Sequence, residues 1–143
     1  MKVNTLQQYG LRAMIEIAIH EGEGGIFQKT IAKNQKLSYR YLEHIISHLK
    51  TAGLVKNKSG GKSGYVLRRP AEEITILEVL NAFQHNIELV DCIDTGPNCE
   101  KTETRVVGKF WGELSELIKD FLKSHTLKEL ADKQKEVNQN AQK

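Results

Sequence analysis

A mainly α-helical fold carrying one small β hairpin is predicted by three observations. Apolar residues recur at helical spacing through most of the chain. Threonine, serine and glycine stand where those stretches begin and end. One short pair of apolar segments, separated by lysines and glycines, has a hairpin pattern instead. The 143 residues suffice for one domain, or for a small domain with one long arm, without a disulfide scaffold. No run approaches about 18 apolar residues, so no membrane span is expected. Gln7, Gln8, Arg12 and Glu16 interrupt the N-terminal apolar residues, which argues against a secretory signal. Cytoplasm is the expected location. Two cysteines there suit reduced thiols, metal ligands or a redox pair better than a structural bridge.

Thr5 and Gln8 have capping-box spacing, predicting a helix from about Leu6. Gln8, Arg12, Glu16 and His20 form one narrow polar stripe along it, and Tyr9, Leu11, Met14, Ile15, Ile17 and Ile19 cover most of the rest. A helix apolar over most of its circumference packs on more than one side, so this is the expected central helix. Three glycines between Glu21 and Gly25 end it. A short helix follows at 28–33, and 34–37 form a turn. Ser38 is the expected N-cap of a helix reaching about Ala52, stopped by Gly53. On that helix Leu42, Ile45, Ile46 and Leu49 share one face and are expected core. Arg40, His44, Ser47 and Thr51 lie opposite, flanked by Tyr41 and His48 on one side and Glu43 and Lys50 on the other.

Two short helices joined by a tight turn make a helix-turn-helix. Leu54 and Val55 begin a strand, Gly64 to Leu67 form its partner, and the lysine- and glycine-rich segment 56–63 is the tip. A helix-turn-helix followed by a basic hairpin is a winged helix. Charge agrees with that reading. Between Gln28 and Arg69 ten basic residues face one acid, a formal +9, although the whole chain is only +3. Segregation of this kind marks a local polyanion site. The expected DNA-contacting residues are Gln28, Ser38, Arg40, Tyr41, Glu43, His44, Lys56, Lys58, Ser59, Lys62 and Tyr65. Arg40 is the candidate for a guanine contact; Lys56, Lys58 and Lys62 are candidates for phosphates. No nucleophile–base constellation or phosphate-cradling glycine motif accompanies them, so enzymatic activity is not expected.

Thr75 and Glu78 open a further helix reaching about His85. Residues 86–104, with Gly96, Pro97, Cys92 and Cys99, read as a loop. A long helix is predicted from about Arg105 to Lys123, with Val107, Phe110, Trp111, Leu114, Leu117, Ile118, Phe121 and Leu122 on one broad face. With no other long helix expected to cover it, that face predicts self-association; folding back onto the first helix is the alternative. Thr126 and Glu129 start a short helix, and a polar, frayed tail is expected from Gln134. The domain reading is a winged helix-turn-helix over 1–85, a cysteine-containing sensor loop over 86–104, dimerisation and short helices over 105–132, and a tail over 133–143.

Taken together, Leu37-Ser38-Tyr39-Arg40-Tyr41-Leu42-Glu43, Leu49 to Val55, Gly64-Tyr65-Val66-Leu67, the two cysteines, Phe110 to Leu114 and Thr126 to Leu130 resemble the IscR/NsrR/CymR family of winged-helix transcription regulators over about residues 1–132. The resemblance implies a homodimer, crossed through the long C-terminal helix, on a roughly palindromic DNA operator. It also implies a redox, iron–sulfur or metabolic signal. Cluster-binding members carry three cysteines; Cys92 and Cys99 match the first two with one extra residue between them, and Arg105 occupies the third position. Gly108 stands where some members supply a histidine ligand, and Gln8 where others supply an acidic one. A cationic side chain cannot replace a thiolate on iron. Three readings of Cys92 and Cys99 stay open: ligands of an unusual iron–sulfur or metal site completed by His85, Asp91, Asp94, Glu100 or the second protomer; a thiol pair closing to a disulfide; or relics. The alternative to a cluster is control by a protein partner or small molecule. In the wing, Ser59 and Gly61 replace an arginine and a proline, which implies a different operator.

Overall fold

The computed structural model describes residues 2–58, 64–84 and 105–141. The elements are α1 (Thr5–Ile19), α2 (Gln28–Gln35), α3 (Tyr39–Thr51), β1 (Val55–Asn57), β2 (Tyr65–Leu67), a 3-10 turn at Ala71–Glu73, α4 (Ile76–Asn81), α5 (Arg105–Ser124) and α6 (Leu127–Ala141). The mainly helical winged fold is therefore present, with β1 and β2 antiparallel and Val55, Lys56 and Asn57 opposite Leu67, Val66 and Tyr65.

The first helix starts differently from the capping expectation. Asn4, not Thr5, is the N-cap: its Oδ1 accepts from the Gln7 N–H at 2.7 Å, and Gln7 Oε1 accepts from the Asn4 N–H at 3.1 Å. Both registers satisfy a four-residue spacing. Burial separates them, because Gln7 is 1% exposed and its Nε2 donates to the Leu80 carbonyl, whereas Gln8 faces outward. As expected of a central helix, α1 packs against α2, α3, α4, α6 and β2. Gly10 lets Phe83 lie directly on it, since a Cβ there would stand 2.2 Å from the phenyl ring.

Ser38 caps α3, its Oγ accepting from the Tyr41 N–H at 3.1 Å. Leu42, Ile45, Ile46 and Leu49 are all buried against α1 and the base of the hairpin. Gly53 follows α3 with φ +75°, the left-handed conformation that glycine adopts at least cost. In the turn between α2 and α3 the same role falls to Lys36, at φ 55°. Thr75 caps α4, which ends at Asn81, short of the expected His85.

The C-terminal region departs from expectation. The helix after Thr126 has 15 residues, continuing to Ala141 where a frayed tail is predicted. Leu127 and Ala131 enter the main core, and this packing against α1 anchors a helix whose outer residues are polar. A second long helix thus exists, yet it covers α1 rather than α5. The Ile76 N–H bonded to the His125 carbonyl, and the Leu127 N–H bonded to the Ile74 carbonyl, fix the α5–α6 corner beside α4.

Candidate nucleic-acid interface

The reading helix α3 turns two chemically different faces. Its apolar stripe is sealed in the core; Arg40, Glu43, His44, Ser47, Lys50 and Thr51 are exposed. Ser38, Arg40, Tyr41, Glu43 and His44 line one open depression of about 640 Å³ at the start of the helix. Five of the DNA-contacting candidates are brought together there. Tyr39, the first residue of α3, and Phe27, the N-cap of α2, are each half exposed, aromatic surface that charge and polarity alone do not pick out. Behind the arc, the His44 and His48 rings meet edge to face at 4.8 Å, and His48 contacts Phe83 at 5.5 Å, which ties the helix to the segment after α4.

The wing is joined to this head by more than its own ladder. Ile26 and Tyr65 exchange backbone hydrogen bonds of 3.2 and 2.9 Å, so the segment entering α2 adds a third short rung. Close approach at this point requires Gly25: at φ +104° a Cβ would lie 3.0 Å from the Tyr65 carbonyl oxygen. The Tyr65 hydroxyl donates to Gln28 Oε1 at 2.7 Å, and Lys50 Nζ lies 5.1 Å from the centre of the Tyr65 ring. Burial, followed by the proximity of Tyr39 and Glu43, raises the Tyr65 phenol above its ordinary pKa.

Placement separates the candidates. Lys56 is exposed on β1, and Lys58 extends over the Gly24–Gly25 turn. Gln28 does not offer its side chain to a duplex: it is 5% exposed, with its carboxamide oxygen engaged by Tyr65 and its Nε2 buried without a described partner. It is a support for the wing. Its helical phase with buried Ile31, three residues on, is the sequence signal for that inward position. Arg69 also leaves the basic surface, because its guanidinium is paired with Glu78 and donates to the Glu73 carbonyl at 3.4 Å. Ser59 and Lys62 lie outside the described residues, as do Cys92 and Cys99.

Comparison with known proteins is decisive at this point. Residues 3–133 match the model of the Rrf2 family, described as an iron-dependent transcriptional regulator. The chain belongs to the Rrf2 family. It is 32% identical over 130 residues to the protein rrf2 of Nitratidesulfovibrio vulgaris, covering 91% of this chain and 87% of that one. To the transcriptional regulator IscR of Erwinia tasmaniensis it is 32% identical over 134 residues, 94% of this chain and 81% of the relative. Among solved structures it superposes on CymR of Bacillus subtilis, the global cysteine regulator, with a TM-score of 0.77 and 34% identity, covering 92% of this chain and 97% of that one. This Rrf2-family chain is accordingly a DNA-binding transcription regulator built on the winged helix-turn-helix.

An iron–sulfur cluster is the cofactor the family brings into question, and the described residues do not supply a conventional ligand set. Gly108 is buried in α5 and has no side chain to offer; Gln8 is exposed, a neutral carboxamide whose Nε2 donates to the Val3 carbonyl at 3.0 Å. The third thiolate position is an arginine in the sequence. Among the described residues no three histidine, cysteine or acidic side chains converge as a metal site. The donor chemistry thus does not fit a three-cysteine cluster, whatever role Cys92 and Cys99 play.

Four of the seven residues expected at a dimer contact are exposed on one side of α5. Val107, Phe110, Leu117 and Phe121 are exposed, and Trp111 is half-buried with its ring 5.4 Å from Phe110. Leu114 is also half-buried, while Ile118 turns inward with Leu122 onto Ile76, Leu77 and Leu80 of α4. Ile118 therefore packs α5 onto its own head. No helix among the described residues is long and apolar enough to cross a membrane.

Proposed function

We propose that the chain acts as a homodimer, joined through the exposed face of α5, whose two α3 helices enter successive major grooves of a roughly palindromic operator. The observation that carries this reading is the exposed arc of α3, with Ser38, Arg40, Tyr41, Glu43 and His44 around one depression. Half-sites would lie about one helical turn apart. Arg40, in the first turn of α3, is the residue for a bidentate guanine contact, and Tyr41, Glu43 and His44 reach neighbouring bases or phosphates. Lys56, Lys58, Ser59 and Lys62 hold phosphates and set register. Tyr65 and Gln28 serve by fixing the wing. The place of action is the cytoplasm, where the chromosome is, and catalysis has no part in it.

The test is a pair of substitutions measured on operator and random duplex. Arg40→Ala should cost about 1–3 kcal/mol on the operator and relax one base position. Lys58→Ala should weaken all sequences alike and lower the salt slope by about one. Equal losses on operator and random DNA for Arg40→Ala would remove the arginine from base readout.

The signal reading follows from the sites that lack iron ligands. With glycine, glutamine and arginine at three ligand positions, control by a small molecule, by a protein partner or by oxidation of Cys92 and Cys99 is better supported than control by a conventional cluster. An anaerobic ultraviolet-visible spectrum with iron and zinc quantification tests it. Stoichiometric iron and sulfide would restore the cluster.

A further inference from the structure

A cleft unconnected with the reading face opens between α1, α2 and α6, with a volume of about 290 Å³. That is the small end of the range for metabolite pockets. Its α1 wall carries one cation and one anion, Arg12 and Glu16, four residues apart and so on the same side of the helix. Such a pair ordinarily closes on itself. Here Gln35 stands between the two: Arg12 Nε donates to Gln35 Oε1 at 2.7 Å, and Gln35 Nε2 donates to Glu16 at 2.8 Å. Asn34 Nδ2 gives Glu16 a second hydrogen bond at 3.2 Å, and the Arg12 guanidinium rests 4.9 Å over the Tyr9 ring. The two charges are held as separate poles.

Each pole keeps capacity after these bonds. The described hydrogen bonds of Arg12 use Nε, leaving the two terminal amino groups, which is the edge that grips a carboxylate. Each Glu16 oxygen accepts one described bond and retains a lone pair for an ammonium group. On the α6 wall Gln134 Nε2 donates to Asn138 Oδ1 at 3.0 Å, and both residues line the cleft; the Asn138 amide donor and the Gln134 carbonyl have no described partner. Ile15 supplies an apolar patch for a short side chain. Arg12 disfavours a dication, Glu16 disfavours a dianion, and no other charged side chain is among the described lining residues.

We propose that this cleft binds a small zwitterion of the α-amino acid class, its carboxylate on Arg12 and Asn138 and its ammonium on Glu16 and Gln134. The ligand would bridge α1 to α6 at the two α1 side chains that Asn34 and Gln35 of α2, the first helix of the helix-turn-helix, hold in place. Any influence of the ligand on operator affinity rests on the DNA reading above; binding itself does not.

Calorimetry on the whole chain without DNA tests the site, using free L-amino acids one at a time, with acetate and methylammonium as half-molecules. At least one amino acid should bind saturably with Kd below about 1 mM, and neither half-molecule should. Arg12→Gln and Glu16→Gln should each weaken it about tenfold or more, as loss of a charge-assisted contact does. Because both side chains also brace α1 against α2, Asn138→Ala on exposed α6 is the second variant, expected to weaken binding about threefold to tenfold with an unchanged circular dichroism spectrum. Absence of saturable binding by every amino acid, equal binding of the half-molecules, or full affinity in the folded variants overturns the site. Failure of the DNA reading is separate: it shows as no shift of any duplex by the ligand-free protein.

Discussion

α3 and α5 carry the same kind of message, a stripe of large apolar residues at helical spacing, and the fold treats them oppositely. On α3, Leu42, Ile45 and Leu49 are 0% exposed. On α5, Phe110, Leu117 and Phe121 are 58, 66 and 64% exposed. Both stripes remove free energy when covered, by about 25 cal/mol per Å². What differs is the supply of partners: α1 lies against α3, while among the described residues the α4 cluster meets α5 at Ile118 and Leu122. Periodicity therefore tells which residues need covering, and the fold tells whether the chain covers them itself.

Substitutions sharpen that contrast. Leu49→Ala, in the sealed stripe, should cost about 2–5 kcal/mol of stability, read as a lowered midpoint in urea unfolding. Leu117→Glu, in the open stripe, should leave helicity intact and shift the protein from dimer to monomer in sedimentation velocity. A monomeric wild type, or a variant that stays dimeric, would break the assignment of α5.

A smaller effect concerns the wing. Tyr65→Phe leaves the buried Gln28 carboxamide without its described partner and should cost about 1–3 kcal/mol, measured by denaturant unfolding with weakened binding to DNA. Alkaline titration probes the same contact. Because the folded phenol titrates above its unfolded value, its contribution is complete below the unfolded pKa and is lost as pH rises through the folded one. Stability monitored from neutral pH upward should therefore decline beyond the ordinary tyrosine range, and Tyr65→Phe should flatten that limb. The smallest expected change is a gain: Lys36→Gly relieves a left-handed lysine in the turn between α2 and α3 and should add about 0.5–1 kcal/mol.

The reading head was the more legible part in sequence. Ser38 as cap, the α3 stripe, Gly53 and the hairpin all rest on local rules, and each of those rules refers to residues a few positions apart. Errors arose where local rules tie or end. The Asn4/Gln7 and Thr5/Gln8 capping registers are equally good locally, and the burial of Gln7 against Leu80 chooses between them. Residues after Gln134 look too polar to hold a helix, yet Leu127 and Ala131 anchor α6 on α1. Arg69 counts as a DNA cation in any charge tally until its pairing with Glu78 is seen.

By itself the sequence determined that the chain is mainly helical, which face of each helix is apolar, and where positive charge gathers. Those properties follow from short-range periodicity, capping and composition. Tertiary structure alone decided that the Tyr65 hydroxyl is the group that meets Gln28, that Gly10 must admit Phe83, and that α6 covers α1 while α5 keeps an exposed face. Each of these joins residues distant in the chain, and a contact between them is a property of how helices pack, which no local pattern encodes.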